Sequence, residues 1–263
     1  MDLHLKSKIA LVNASSKGLG KAAAKSLAKE GATVIICSRN KNDLEKTASE
    51  IHQLTGSEVV PIVTDVSNAN DITELFEKIK KQFGTLHILV NNAGGPPTGD
   101  ILKMSDEEWA KGYELTLMSM IRLSREALPL MIKQRWGRII TITSFAGKQP
   151  VNDLIISSTV RPGIHGLTKV LSNKYAKENI TVNSVCPGNI NTERQNELME
   201  ERSLKKKISY DAYMSEISKE IPTGRLGTLE EIGDVIAFLA SENASYINGV
   251  NLLVDGGLTK GIY

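Results

Sequence analysis

The chain has 263 residues, 41% hydrophobic and 24% charged, with 32 Lys and Arg against 30 Asp and Glu and a formal net charge of +2. That length suits one large domain or two small ones, and the composition excludes disorder, coiled coil and collagen. The balanced charge lacks the basic excess that a polyphosphate backbone requires, so no nucleic-acid partner is expected.

No apolar stretch approaches the roughly 18 residues of a membrane span. The opening Met1-Asp2-Leu3-His4-Leu5-Lys6 lacks the charged-then-apolar plan of a signal peptide. No membrane association is expected, and the expected location is the cytoplasm. Cys37 and Cys186 lie far apart inside apolar runs and read as small buried hydrophobes of a reducing compartment, without a disulfide. His4, His52, His87 and His165 are scattered without metal-ligand spacing, so no metal is expected.

Short β-branched runs at 9–12, 33–37, 59–63, 86–90, 138–143, 181–186 and 250–254 alternate with longer stretches of helical period. This pattern predicts an α/β chain of parallel strands with crossover helices. Several runs are continuous, which implies strands covered on both faces. Ahead of the fourth run, Ile72, Leu75, Phe76, Ile79 and Phe83 keep the spacing of one helix face, and Gly84 stands where a left-handed cap belongs. Ser105 with Glu108, and Thr228 with Glu231, have the spacing of capping boxes, and Met104 is placed to staple onto Trp109.

The segment 115–131 is apolar around most of its circumference. It reads as a helix buried on two sides, under a loop or against another subunit, or as plain core. No repeat, low-complexity tract or linker interrupts the rhythm, so 1–263 is expected to form one domain. The strand rhythm breaks only at 189–225, whose charged, helix-like texture suits a substrate lid. The run Lys205-Lys206-Lys207 within it reads as a solvated helix face.

Directly after the first strand comes Asn13-Ala14-Ser15-Ser16-Lys17-Gly18-Leu19-Gly20, followed by a helix with Leu19, Ala22, Ala23 and Leu27 on one face. Glycines at such a turn let backbone approach a pyrophosphate, and the helix N-terminus favours its charge. A dinucleotide site is therefore expected here. The second strand ends in Cys37-Ser38-Arg39, where a reader of unphosphorylated ribose would carry a carboxylate. Arg39, with Lys17, instead offers donors to a 2′-phosphate, which predicts NADP(H) over NAD(H). Two solvated surface cations are the alternative.

Together with Asn91-Asn92-Ala93-Gly94, Pro187-Gly188 and Asp255-Gly256-Gly257, these residues resemble the short-chain dehydrogenase/reductase family over nearly the whole chain. Length and motif order look like its 3-oxoacyl-carrier-protein reductase type. The resemblance implies a single-domain Rossmann-type doubly wound α/β fold with a seven-stranded parallel sheet. It further implies that Asp65 and Val66 meet the adenine, that Asn91, Ala93 and Gly94 line the cofactor, and that Pro187, Gly188, Ile190 and Thr192 hold its nicotinamide end. The first glycine of the family's T-G-x-x-x-G-x-G turn is Ala14 here, and Asn13 replaces the threonine.

The catalytic end departs further. The family combines an asparagine, a serine and a Y-x-x-x-K pair. Ser144 matches the serine, and ungapped counting puts Ser157 at the tyrosine, Arg161 at the lysine and Thr116 at the asparagine. None of Tyr113, Tyr175, Tyr210, Tyr213, Tyr246 and Tyr263 has a lysine four residues on. Serine has no pKa near neutrality and does not readily inherit the tyrosine's proton transfer. Arg161 keeps a cation able to hold ribose, although its fork is not an ammonium. Pro162 predicts a kink or a late helix start, which would part Ser157 from Arg161. His165 is a candidate acid but reads better as packing, and Tyr210 or Tyr213 could reach in from the lid.

Three readings follow. One is an NADP(H)-dependent oxidoreductase interconverting a small carbonyl and alcohol, with Ser144 polarising the substrate oxygen, Arg161 on the ribose, and water, Ser157 or a lid residue completing proton transfer. Another is a cofactor-binding pseudoenzyme acting as sensor or interaction protein, and the last a structural scaffold. The first is preferred, because the cofactor itself carries the hydride chemistry. The resemblance also implies a homotetramer or dimer built on the 115–131 helix and the helix containing Gly163, Gly166 and Val170.

Overall fold

The computed structural model describes residues 1–262. Seven strands, β1 Ile9–Asn13, β2 Thr33–Ser38, β3 Val59–Val63, β4 Ile88–Asn91, β5 Gly137–Ile142, β6 Ile180–Pro187 and β7 Asn251–Val254, form one parallel sheet in the order β3-β2-β1-β4-β5-β6-β7. The order reverses between β1 and β4, where a crevice opens at the carboxyl ends of the strands.

Helices α1 Gly18–Lys29, α2 Lys41–Thr55 and α9 Leu229–Leu239 belong to one face of this sheet, and α3 Ala69–Phe83 and α5 Ser119–Gln134 to the other. Side chains alternate along a strand, so Ala10 and Val12 join Leu27 and Ile236 in one core. Leu11, between them, joins Phe76 and Leu123 in the second. Burying each such leucine or isoleucine contributes roughly 1.5–3 kcal/mol. Two-sided cover fails at both edges: Val63 in β3 is 50% exposed and Leu252 in β7 is 39% exposed, and Pro61 in β3 is tolerated because an edge strand can lack a donor.

Local signals place the helix ends. α3 stops at Gly84, whose φ of +70° is left-handed and whose N–H bonds the Lys80 carbonyl. α4, Asp106–Tyr113, and α9 both start with complete capping boxes, on Ser105 with Glu108 and on Thr228 with Glu231. The apolar 115–131 segment is not one regular helix, because a π-helical turn at Glu114–Met118 precedes α5. Within 189–225 lie α7, Glu193–Lys206, and α8, Tyr210–Glu220, which pack on each other. Cys37 and Cys186 are free and buried, and burial pushes the Cys37 thiol up to about 12.

Candidate active site

A cleft of about 570 Å³ runs across the carboxyl ends of the strands, from the glycine turn and the end of β2 to the ends of β5 and β6, under the first turn of α7. Every residue expected at the cofactor or the chemistry lines it, except Gly20, Asn91 and Thr116. A Cβ on Gly20 would stand 2.5 Å from the Ala14 carbonyl oxygen and 2.7 Å from Asn92 Nδ2, so this glycine allows the turn to close on its helix. Asn91 is buried and donates through Nδ2 to Ser124 Oγ at 3.3 Å and Thr141 Oγ1 at 3.4 Å, tying β4 to its neighbours. Thr116 is buried in the π-helical turn, and its hydroxyl has no hydrogen-bond partner among the described residues.

The turn has the features a pyrophosphate needs. α1 begins at Gly18, no side chain caps it, and no acid sits in its first turn, so its positive end remains available to an anion. Ala14 adopts a φ of +46°, the left-handed region where the resemblance puts glycine, at roughly 1–2 kcal/mol of strain. Buried Ser15 holds the turn in place, donating to the Val12 carbonyl at 2.7 Å and accepting from Cys37 N–H at 3.1 Å. Asn92 Nδ2 adds a 3.2 Å bond to the Ala14 carbonyl.

Both expected phosphate ligands line the cleft, on different terms. Lys17 Nζ lies 3.2 Å from Glu193 Oε2 at the start of α7, whereas Arg39 has no ion-pair partner among the described residues. Asp65 Oδ1 accepts from Ser67 N–H at 3.0 Å and Ser67 Oγ–H at 2.7 Å.

At the chemical end, Ser144 caps a 3₁₀ turn, Phe145–Gly147, its Oγ accepting from Ala146 N–H at 3.1 Å, so the hydroxyl proton is left to donate. The next helix, α6, spans Ile155–Tyr175 and runs through Pro162. This corrects the expectation of a late start: buried Ile156, Val160 and Ile164 hold the helix on both sides of the proline, and tertiary packing offsets the missing hydrogen bond. Ser157 and Arg161 therefore share a face at the i, i+4 spacing, and Arg161 Nε donates to Ser157 Oγ at 2.7 Å. With that lone pair engaged by a cation, the Ser157 proton is free to donate, and the charge strengthens it as a donor. Burial pushes the Arg161 guanidinium down to about 10, so it remains charged at neutral pH.

His165, one turn further, contacts Thr143 Oγ1 at 3.3 Å and Cys186 Sγ at 3.5 Å. Burial, then Lys148 and Arg161, push it down to about 4, and it does not line the cleft. The imidazole is thus neutral and packed. Tyr213 is buried, Tyr210 donates to Asn196 Oδ1 at 3.3 Å, and neither lines the cleft.

The neutral histidine gives a stability prediction. Between its ordinary pKa of 6.5 and about 4 the unfolded chain binds the extra proton, so stability is complete above 6.5 and falls as pH drops toward 4. Its partial exposure limits the effect to on the order of 1–2 kcal/mol. His87, also pushed down by burial, adds in the same sense. Thermal melts of the native protein and His165→Gln across this range are expected to show a shallower acid slope in the variant; superimposable slopes would exclude the histidine as a source.

Sequence reasoning missed Arg194. It sits in the first turn of α7, which Thr192 caps by accepting from Gln195 N–H at 3.0 Å, and its Nη2 donates to the Pro96 carbonyl at 3.0 Å. The Thr192-x-x-Gln195 spacing was the available signal for where this helix starts. Leu154 and Leu198 supply nearby apolar wall.

A family model described as enoyl-(acyl carrier protein) reductase matches residues 13–259. The 3-oxoacyl-[acyl-carrier-protein] reductase FabG of Escherichia coli K12 is 36% identical over 256 residues, covering 97% of this chain and 99% of that protein. The chain belongs to the short-chain dehydrogenase/reductase family. An uncharacterized oxidoreductase of Bacillus subtilis 168, YvrD, is 36% identical over 267 residues and covered in full on both sides. Among solved structures, this short-chain dehydrogenase/reductase is similar to the L-sorbose reductase of Gluconobacter frateurii complexed with NADPH and L-sorbose, at 31% identity, a TM-score of 0.95 and full coverage of both chains. It is also similar to YwfH, an NADPH-dependent reductase involved in bacilysin biosynthesis, at 31% identity and a TM-score of 0.94 over 98% of this chain and all of that one.

Proposed function

We propose that the chain is an NADP(H)-dependent oxidoreductase that interconverts a small carbonyl and its alcohol with an altered catalytic group. The observation that carries this reading is the opening of Ser144 and the Ser157–Arg161 pair into the same cleft as the glycine turn and Arg39. Relatives whose names specify NADPH support the choice of cofactor.

The helix N-terminus at Gly18 takes the pyrophosphate, Arg39 and Lys17 the 2′-phosphate, and Pro187, Gly188, Ile190 and Thr192 the nicotinamide end. Bound there, the nicotinamide supplies or accepts the hydride. Ser144 and Ser157 donate hydrogen bonds to the substrate oxygen. Arg161 stabilises the negative charge that develops on it and holds the ribose. Neither serine is an acid near neutrality, so the proton comes from water through the Ser157 hydroxyl. Lacking a positioned acid, such chemistry runs about 10²- to 10⁴-fold more slowly than with one. The 189–225 segment acts as the lid, and the apolar residues that α5 and α6 turn outward, among them Ile121, Leu167 and exposed Val170, suit a homo-oligomer, dimer or tetramer.

The missing Y-x-x-x-K pair favours a second reading, cofactor binding without hydride transfer. Calorimetric titration with NADPH and NADH, followed by NADPH consumption on a panel of carbonyls, separates the two. Oxidoreduction predicts preferential NADPH binding and turnover by the native chain, raised by the double replacement Ser157→Tyr with Arg161→Lys. Turnover only in the double variant would establish the pseudoenzyme, and no binding of either nucleotide would sink both readings.

A further inference from the structure

Arg161 is a buried cation without a buried anion. Its Nε is committed to Ser157, and among the described residues no carboxylate lies within ion-pair distance and no protein acceptor meets its Nη groups. The neighbouring charges increase the imbalance. Arg194 opposes the Arg161 charge, and Lys148, with Arg161, bears on His165 next door.

Arg194 has no carboxylate partner among the described residues either; it lines the same cleft as Arg161, and its Nη2 is tied to the Pro96 carbonyl. A Cβ on Gly95 would stand 2.9 Å from Arg194 Nε, so the side chain lies flat on that loop and is fixed in direction. The carboxylates that line the cleft are elsewhere. Asp43 and Asp65 stand beyond β2 and β3, where Asp65 is engaged by Ser67, and Glu193 is paired with Lys17. A buried guanidinium is stabilised only when an anion and hydrogen-bond acceptors meet it. Within the chain only Ser157 Oγ meets it, so the Nη groups open on the cleft, where they are left to the ribose and to an anionic group of the substrate.

Resting on the oxidoreductase reading, we propose that the substrate is itself an anion, a small oxo acid or hydroxy acid whose carboxylate is held between Arg161 and Arg194. The planar guanidinium matches a carboxylate with two parallel charge-assisted bonds. The carbonyl to be reduced then meets Ser144 and Ser157, and Leu154 and Leu198 cover the carbon chain. In the reducing direction, NADPH gives a hydride to the carbonyl carbon and water gives one proton to its oxygen. The products are the hydroxy acid, NADP⁺ and the hydroxide left by that water, which bulk solvent neutralises, and the carboxylate is unchanged. Substrate charge is thus the main determinant of specificity at this end of the cleft.

Oxamate, which carries a carboxylate beside a carbonyl group and resists reduction, is the probe, titrated by calorimetry into the protein with and without NADPH. The expected result is saturable binding, with the neutral acetamide silent. Arg194→Gln is expected to weaken oxamate about 10- to 100-fold, and Arg194→Lys to recover part of it. Arg194 is exposed at a helix start, so these variants keep the fold that Arg161→Gln would endanger. No oxamate binding, equal binding by the native protein and Arg194→Gln, or binding of inorganic phosphate in place of oxamate would overturn the carboxylate assignment. NADPH affinity on the same samples reports separately on the cofactor site. If NADPH fails to bind while oxamate binds through Arg194, the oxidoreductase reading falls and the anion site stands; the converse leaves the reading and removes the anion.

Discussion

Arg138→Met is expected to lower the melting temperature by roughly 6–20 °C. The side chain is wholly buried at the start of β5. Its Nη1 donates to the Gly137 carbonyl at 2.8 Å and the Asn179 carbonyl at 3.0 Å, Nε donates to the Ser241 carbonyl at 3.3 Å, and Nη2 lies 3.5 Å from Glu242. The guanidinium also stacks 4.4 Å from the centre of the Trp136 ring. Methionine fills comparable volume but supplies none of these donors, so carbonyls inside the protein lose their partner at about 1–3 kcal/mol each. Removing one side of such a buried network costs about 3–5 kcal/mol, and for a chain of this size each kcal/mol moves the midpoint by about 2–4 °C. Arg138→Lys should recover little, because one ammonium cannot span three carbonyls. Melts followed by circular dichroism check this; a shift under about 2 °C would mean that the donors are replaced by water and that the network does not hold β5 to the 241–242 segment.

The seven strands could be anticipated because buried parallel strands demand continuous β-branched runs, and such runs tolerate little else; their order in the sheet was not read from them. The ends moved by a residue or two where the first residues of a run belong to the preceding loop, as Leu86 does ahead of β4. Helix ends were readable where one side chain decides them, as at Gly84, Ser105 and Thr228. They were not readable where packing decides. The π-helical turn at Glu114–Met118 depends on a register that hydrophobic spacing does not encode, and α6 crosses Pro162 because residues on either side of it are buried together.

The same division runs through the site. Strand, glycine turn and helix in immediate succession marked the end expected to take phosphate, since few other functions need glycines there. Counting along the family pattern located Ser157 and Arg161, but spacing alone did not show that their side chains would meet. It also gave Thr116, which the π-helical turn buries away from the cleft. Arg194 and the Lys17–Glu193 pair stayed invisible because both depend on how α7 lies over the cleft. A segment of charged, weakly amphipathic helix carries no signal for its placement.

The unequal footing of Arg39 and Lys17 gives the second large effect. Arg39→Ala is expected to raise the NADPH dissociation constant about 10- to 100-fold and to leave that of NADH within about twofold, because the loss is of charge-assisted bonds to a phosphate that NADH lacks. Lys17 shares its charge with Glu193 at 3.2 Å, and both side chains are largely exposed and screened by salt. Lys17→Ala should therefore weaken NADPH less than Arg39→Ala does, and Glu193→Gln, which releases Lys17, should tighten it. Arg39→Asp is the severest form of the test. It repels the 2′-phosphate and supplies the carboxylate that accepts from a 2′-hydroxyl, so it should reverse the nucleotide preference. Calorimetric titration of the four variants with both nucleotides reads each of these outcomes. Equal weakening of NADPH and NADH in Arg39→Ala would place the arginine on the adenosine common to both, and discrimination would then have to come from Lys17.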